Sequence, residues 1–175
     1  MSRKRWLWLL GVTSVALFVV LAIVDRKVQD SGGPGIIPFE LAGSSERANE
    51  ILGEWDASAT DAARLSIWLD FPYLVLYGAF FCLAILAVRD AARCRGWERF
   101  ARAGTAIAFA PIAAAAFDVV EDVFLLLVIG GHADGSAPAI ATGFAVAKFV
   151  ALGVTWVYLL GGLVAVVTTR RRVPG

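Results

Sequence analysis

Cysteine, histidine and charge are all scarce in this chain, and each shortage excludes something. The two cysteines, Cys82 and Cys94, stand 12 residues apart, a spacing that fits neither a CxxC redox pair nor a zinc site. Neither falls in a segment assigned below to an oxidising compartment, so both are expected as free thiols, and thiol–quinone chemistry is disfavoured. The one histidine, His132, lies in a glycine-rich turn; with no second histidine it reads as a solvated loop residue rather than a metal ligand or general base. Charged residues make up only 18% of the chain, against roughly a quarter in a soluble domain. The net charge of +1 by itself says nothing about nucleic acid, and no nucleic-acid partner is expected.

What the chain has in abundance is apolar sequence, at 59% hydrophobic residues. Four runs, at residues 6–24, 65–88, 103–130 and 139–167, approach or exceed the roughly 20 residues needed to cross a bilayer core. No internal repeat links them. The expectation is an all-α fold: a single polytopic membrane domain over residues 1–175, a four-helix bundle with a short amphipathic outer helix in the loop 25–64, and the lipid bilayer as its first partner. Residues 1–24 read as a signal anchor rather than a cleaved leader, because the apolar run is long and lacks a clean A-x-A site.

Basic residues gather in three places: Arg3, Lys4 and Arg5; Arg89, Arg93, Arg95, Arg99 and Arg102; and Arg170, Arg171 and Arg172. The positive-inside rule puts all three on the cytoplasmic side, and with them both termini, in the inner (plasma) membrane of a cell. The loop 25–64, with eight acids against four bases, then faces outward together with the turn around His132. Residues 89–102, with Trp97 among arginines, read as an interfacial hairpin beside anionic phospholipid.

Within the outer loop, residues 36–39 form an apolar stretch expected to be extended. A short helix follows, with Ser44 or Ser45 as N-cap. Its Ala48, Ile51, Leu52 and Trp55 fall on one stripe. That stripe either rests on the membrane surface or makes Ile51, Leu52 and Trp55 a lid over the bundle. The start signal at residues 58–61 opens the second span, in which Ser66, Asp70, Tyr73 and Tyr77 share a side and Pro72 predicts a kink.

The chemistry concentrates in Phe117-Asp118-Val119-Val120-Glu121-Asp122. An ionised group at the centre of a membrane helix costs about 2.5–3.5 kcal/mol, and helical geometry places these three carboxylates within an arc of roughly 100°. Lys148, on the last span, lies at a similar depth, about 14 Å against about 12 Å. Asp70, Tyr73, Tyr77, Asp118, Glu121, Asp122 and Lys148 are therefore the candidate pocket. Asp118, Glu121 and Asp122 are candidate ligands for a divalent cation, since hard ions take carboxylate oxygens.

Three readings follow. The leading one is an outward-opening site for a small or lipid-derived ligand or a cation. The second is a structural or assembly subunit in which the charges only fix helix packing. The third is a small ion- or proton-coupled transporter, acting as a homodimer because one four-helix protomer is small for that task. Enzyme activity stays undecided.

Finally, the loop Phe39-Glu40-Leu41-Ala42-Gly43-Ser44-Ser45-Glu46-Arg47-Ala48, the segment Leu69-Asp70-Phe71 with Tyr77, the D-x-x-E-D cluster and Lys148-Phe149 resemble features of a group of uncharacterised four-helix bacterial membrane proteins. Those proteins carry an F-E-x-A-G-x-x-E-R-A loop, an L-D-F start to helix two, a D-x-x-E-N motif and a lysine in the last helix. The likeness covers about residues 36–150 and differs at Asp122, where asparagine is usual. It implies no activity, but it does imply that the outer helix and the charged cluster belong to one design.

Overall fold

The computed structural model describes residues 2–30 and 32–168, with side chains to residue 164; the basic group at Arg170, Arg171 and Arg172 lies outside the described residues. The fold is all-helical, with seven helices among the described residues: α1 (Arg3–Gln29), α2 (Ile36–Glu40), α3 (Ser45–Glu54), α4 (Ala57–Arg93), α5 (Glu98–Ile107), α6 (Ala110–Ile129) and α7 (Ala137–Thr168). Three of them, α1, α4 and α7, are long and apolar enough to cross a membrane. At 20 residues, or about 30 Å, α6 has the length as well, but three carboxylates interrupt its apolar surface.

α4 is the central element. It packs along α1 on one side and along α6 and α7 on the other, while α6 and α7 form a tight antiparallel pair. The turn between α6 and α7 uses Gly131 and Gly135 at positive φ, a conformation that costs glycine nothing.

Several expectations at element boundaries are corrected. Residues 36–39 are helical rather than extended: the Asp25 carboxylate accepts from the Ile36 N–H at 2.8 Å and so caps the first turn of α2, where Pro38 is tolerated because its missing N–H has no helical partner there. α4 begins at Ala57, not within residues 58–61, because the Asp56 side chain accepts from the Ala59 N–H. It then runs unbroken past Pro72 to Arg93. The expected single span 103–130 is two helices, parted at Ala108 and Phe109, with Pro111 in the first turn of α6. The hairpin expected at residues 89–102 shrinks accordingly to a turn between Arg93 and Glu98.

The α3 cap is as expected: the Ser44 hydroxyl accepts from Arg47 N. The apolar stripe of α3 is buried in a cluster that joins six helices, from Val24 and Val28 on α1 through Phe39, Ile51, Ile67 and Leu125 to Ala141 on α7. The rings of Trp55 and Phe39 pack at 4.9 Å, and Trp55 Nε1 donates to the Pro34 carbonyl at 2.7 Å. With each large side chain worth about 1.5–3 kcal/mol when fully buried, α2 and α3 form a fixed cap over this end of the bundle.

At the other end, α5 folds onto α7. The ring of Tyr158 stacks on Phe100 at 4.4 Å, and its hydroxyl donates to the Phe100 carbonyl at 3.3 Å. A Cβ at Gly104 would collide with that hydroxyl, whereas one at Gly143, on α7, would meet only open space. Gly104→Ala is therefore expected to lower stability by about 1–3 kcal/mol through overpacking. Gly143→Ala should raise it by about 0.5–1 kcal/mol, because alanine loses less backbone freedom on folding. Thermal unfolding of the two variants in detergent checks the pair of opposite signs.

Candidate functional site

The carboxylates of α6 follow from its register. Asp118 and Asp122, one turn apart, face α4, while Glu121 lies on the flank facing α7. Asp118 is 3% exposed, Asp122 3%, Glu121 0% and Lys148 6%, whereas Asp70 and Tyr73 on α4 keep part of their surface open. All seven residues expected at the site lie in or beside this group.

Two subsets divide it. The first is centred on Lys148, whose Nζ lies 2.7 Å from Asp118 Oδ1, 2.8 Å from Glu121 Oε2 and 3.4 Å from Glu40 Oε2. The second is Asp70, Asp118 and Asp122, each offering a carboxylate oxygen within 4.8 Å of the others. Asp118 belongs to both, and its Oδ2 accepts from the Tyr77 hydroxyl at 2.9 Å. Of the expected cation-ligand set of Asp118, Glu121 and Asp122, the structure brings Asp118 and Asp122 together with Asp70 across the α4–α6 interface, while Glu121 turns toward Lys148.

Glu40 was missed as a site residue, although it stands in the loop motif. Its backbone carbonyl accepts from Thr142 Oγ1 at 2.8 Å, and that hydroxyl oxygen in turn accepts from Gly43 N at 2.9 Å. This clasp between the cap and α7 delivers the Glu40 carboxylate, 12% exposed, to Lys148. The available signal was the apolar stretch at residues 36–39, whose burial draws the adjoining carboxylate inward. Ile51, Leu52 and Trp55, the expected lid residues, sit in or against the cap core; they cover the cluster's end of the bundle from above without touching the carboxylates through any polar group.

Burial pushes the Glu40 carboxyl above its ordinary value of 4.5, with Asp118 adding to the rise and Lys148 opposing it. The folded protein therefore holds this proton more tightly than the unfolded chain. The stability linked to it is complete below the unfolded value and is lost as pH rises through the folded one. Thermal midpoints measured against pH should fall less steeply in Glu40→Gln than in the wild type over that rise; equal slopes would mean that Glu40 takes no part in it.

Arranged in this way, the group holds five carboxylates and one ammonium. Lys148 is already engaged by three of them, so Asp70 and Asp122 are left without a countercharge of their own. Asp122 Oδ2 is buried with no hydrogen-bond partner among the described residues, a state that costs about 1–3 kcal/mol or more for a charged group unless something else meets it. Comparison of the chain with protein-family models, with curated proteins and with solved structures returns no match.

Proposed function

We propose that this chain is a four-span integral membrane protein of the inner membrane, with both termini cytoplasmic and the cap on the outer face, and that it binds a cation or a small cation-bearing ligand among Asp70, Asp118 and Asp122. α6 is the fourth span, and its carboxylates are tolerated there because they meet α4, α7 and the ligand instead of lipid. The resemblance of the cap loop and the D-x-x-E-D cluster to one family design agrees with this reading.

One observation carries it: Asp122 is buried beside Asp70 and Asp118 with an oxygen that no described group satisfies. A network that served only to hold helices in register would need no more than Lys148, Glu40, Asp118 and Glu121, of which Glu121 Oε1 is itself buried without a hydrogen-bond partner among the described residues. Asp70 and Asp122 are surplus to it, and a surplus of buried carboxylates is stable only with a positive partner or a bound proton; the cation titration below separates the two.

The test is thermal unfolding of the purified protein with magnesium, calcium, manganese or ethanolamine, each compared in the wild type and in Asp122→Asn. A ligand that binds the native state alone stabilises it by about 2.7 kcal/mol at a hundred times its Kd. The expected result is a rise in midpoint with one or more of these cations that Asp122→Asn loses. A wild type indifferent to every cation would refute the proposal.

A further inference from the structure

From the carboxylates a strip of aromatic rings descends along α4. The ring of Tyr73 packs on Tyr77 at 5.2 Å, Tyr77 on Phe81 at 6.4 Å, and Phe81 on Phe80 at 5.2 Å. Phe18 of α1 lies 6.2 Å from Tyr73. At its lower end, the strip meets a cavity of about 610 Å³ that is open to the outside and lined by Leu7, Trp8, Gly11, Val12 and Val15 of α1, with Phe80 of α4 at its edge. That volume is within the roughly 300–1,000 Å³ typical of small-molecule sites, and every side chain in the wall is apolar.

The two ends of this path are complementary to the two ends of one kind of molecule. At the top, Tyr77 belongs both to the strip and, through its hydroxyl, to the carboxylate group. Asp70 and Tyr73, which keep part of their surface open, lie where the strip reaches that group. An alkylammonium head has three N–H donors. With charge-assisted bonds of about 2.8 Å, tetrahedral geometry sets its three acceptors roughly 4.6 Å apart. Asp70, Asp118 and Asp122 offer three oxygens within 4.8 Å of one another. The tyrosine faces just below suit an ammonium as well, since ring quadrupoles attract cations. Asp70 stands ten positions before Phe80 on α4, a span of about 15 Å, which a long alkyl chain can cover to reach the cavity.

We infer that the ligand is an amine-headed amphiphile taken from the lipid leaflet, its ammonium held by Asp70, Asp118 and Asp122 and its alkyl chain laid along the partly open rings of Phe18, Tyr73 and Phe80 into the cavity on α1. This inference rests on the reading of those three carboxylates as a cation site.

The experiment uses the full chain in nanodiscs of phosphatidylcholine, which contain no primary amine. The shift in unfolding temperature is titrated with dodecylamine, ethanolamine, dodecanol and magnesium, for the wild type, Asp122→Asn, and the cavity-filling variants Val12→Trp and Val15→Trp. Val12 and Val15 are both exposed, so either replacement can fill the groove without entering the core. Dodecylamine is expected to half-saturate at a concentration at least tenfold below that of ethanolamine. Asp122→Asn should abolish its effect, and each tryptophan variant should erase its advantage over ethanolamine, leaving the response to ethanolamine itself in place.

Stabilisation by magnesium or ethanolamine with no gain from the alkyl chain would overturn the inference and leave the cation site standing. So would a dodecylamine effect that dodecanol reproduces or that Asp122→Asn retains, since both mean simple partitioning of a chain. If neither the cations nor the amphiphile shifts the wild type, both proposals fall together.

Discussion

Lys148→Met is expected to be the most damaging single substitution in the molecule, at about 3–5 kcal/mol, because removing one partner of a buried ionic group strands the others. Its ammonium is shared by Glu40, Asp118 and Glu121, and among the described residues no other base forms an ion pair with any of them. Without it, Glu40 of α2 and Asp118 and Glu121 of α6 face one another with no countercharge. The loss should show as poor recovery from the membrane and a sharply lowered unfolding temperature. Glu121→Gln placed on top of Lys148→Met should recover part of it, because it removes one of the stranded charges and keeps the shape. A Lys148→Met protein that melts like the wild type would mean that the ion pairs contribute nothing to the fold.

Asp118 is expected to produce the second-largest effect, and here two substitutions separate two roles. Its carboxylate meets Lys148 at 2.7 Å on one side and the Tyr77 hydroxyl at 2.9 Å on the other, and it also completes the group with Asp70 and Asp122. Asp118→Asn keeps an acceptor for Tyr77 and leaves Lys148 with Glu121 and Glu40, so the fold should survive while cation-dependent stabilisation disappears. Asp118→Leu also leaves the Tyr77 hydroxyl unsatisfied and buried, which adds about 1–3 kcal/mol to the cost. Unfolding curves with and without ligand read both quantities. If asparagine and leucine were equally tolerated and both still responded to ligand, Asp118 would have neither role.

How much of this was legible in the sequence depended on whether the signal was local. The N-cap at Ser44, the stripe of Ala48, Ile51 and Trp55, the turn after α6 and the inward arc of Asp118, Glu121 and Asp122 are all written in short-range spacing, and the structure has them. Depth along a helix is also local, and it was enough to pair Lys148 with the α6 acids. Distinctions that depend on neighbours were not legible. Pro72 and Pro111 look alike in sequence, yet one lies inside an unbroken α4 while the other opens α6, because tertiary packing decides whether the chain continues through a proline. A helical wheel shows that Glu121 flanks Asp118, but not that α7 stands on that flank and α4 on the other. That is why Glu121 went to Lys148 and Asp70 joined the aspartates. Glu40 meets a lysine 108 positions further along the chain, and no periodicity carries such a contact. Only the buried apolar residues just before it hinted that it would be drawn inward.

Whether the carboxylate group holds a ligand is read by native mass spectrometry of the protein released straight from its membrane. The wild type is predicted to carry one bound cation or cationic amphiphile per chain, visible as a discrete mass increment, and Asp122→Asn prepared in parallel is predicted to lack it. A wild type without any increment, or one that Asp122→Asn shares in full, would mean that no ligand is held there and leave the five carboxylates and Lys148 as a device for packing helices.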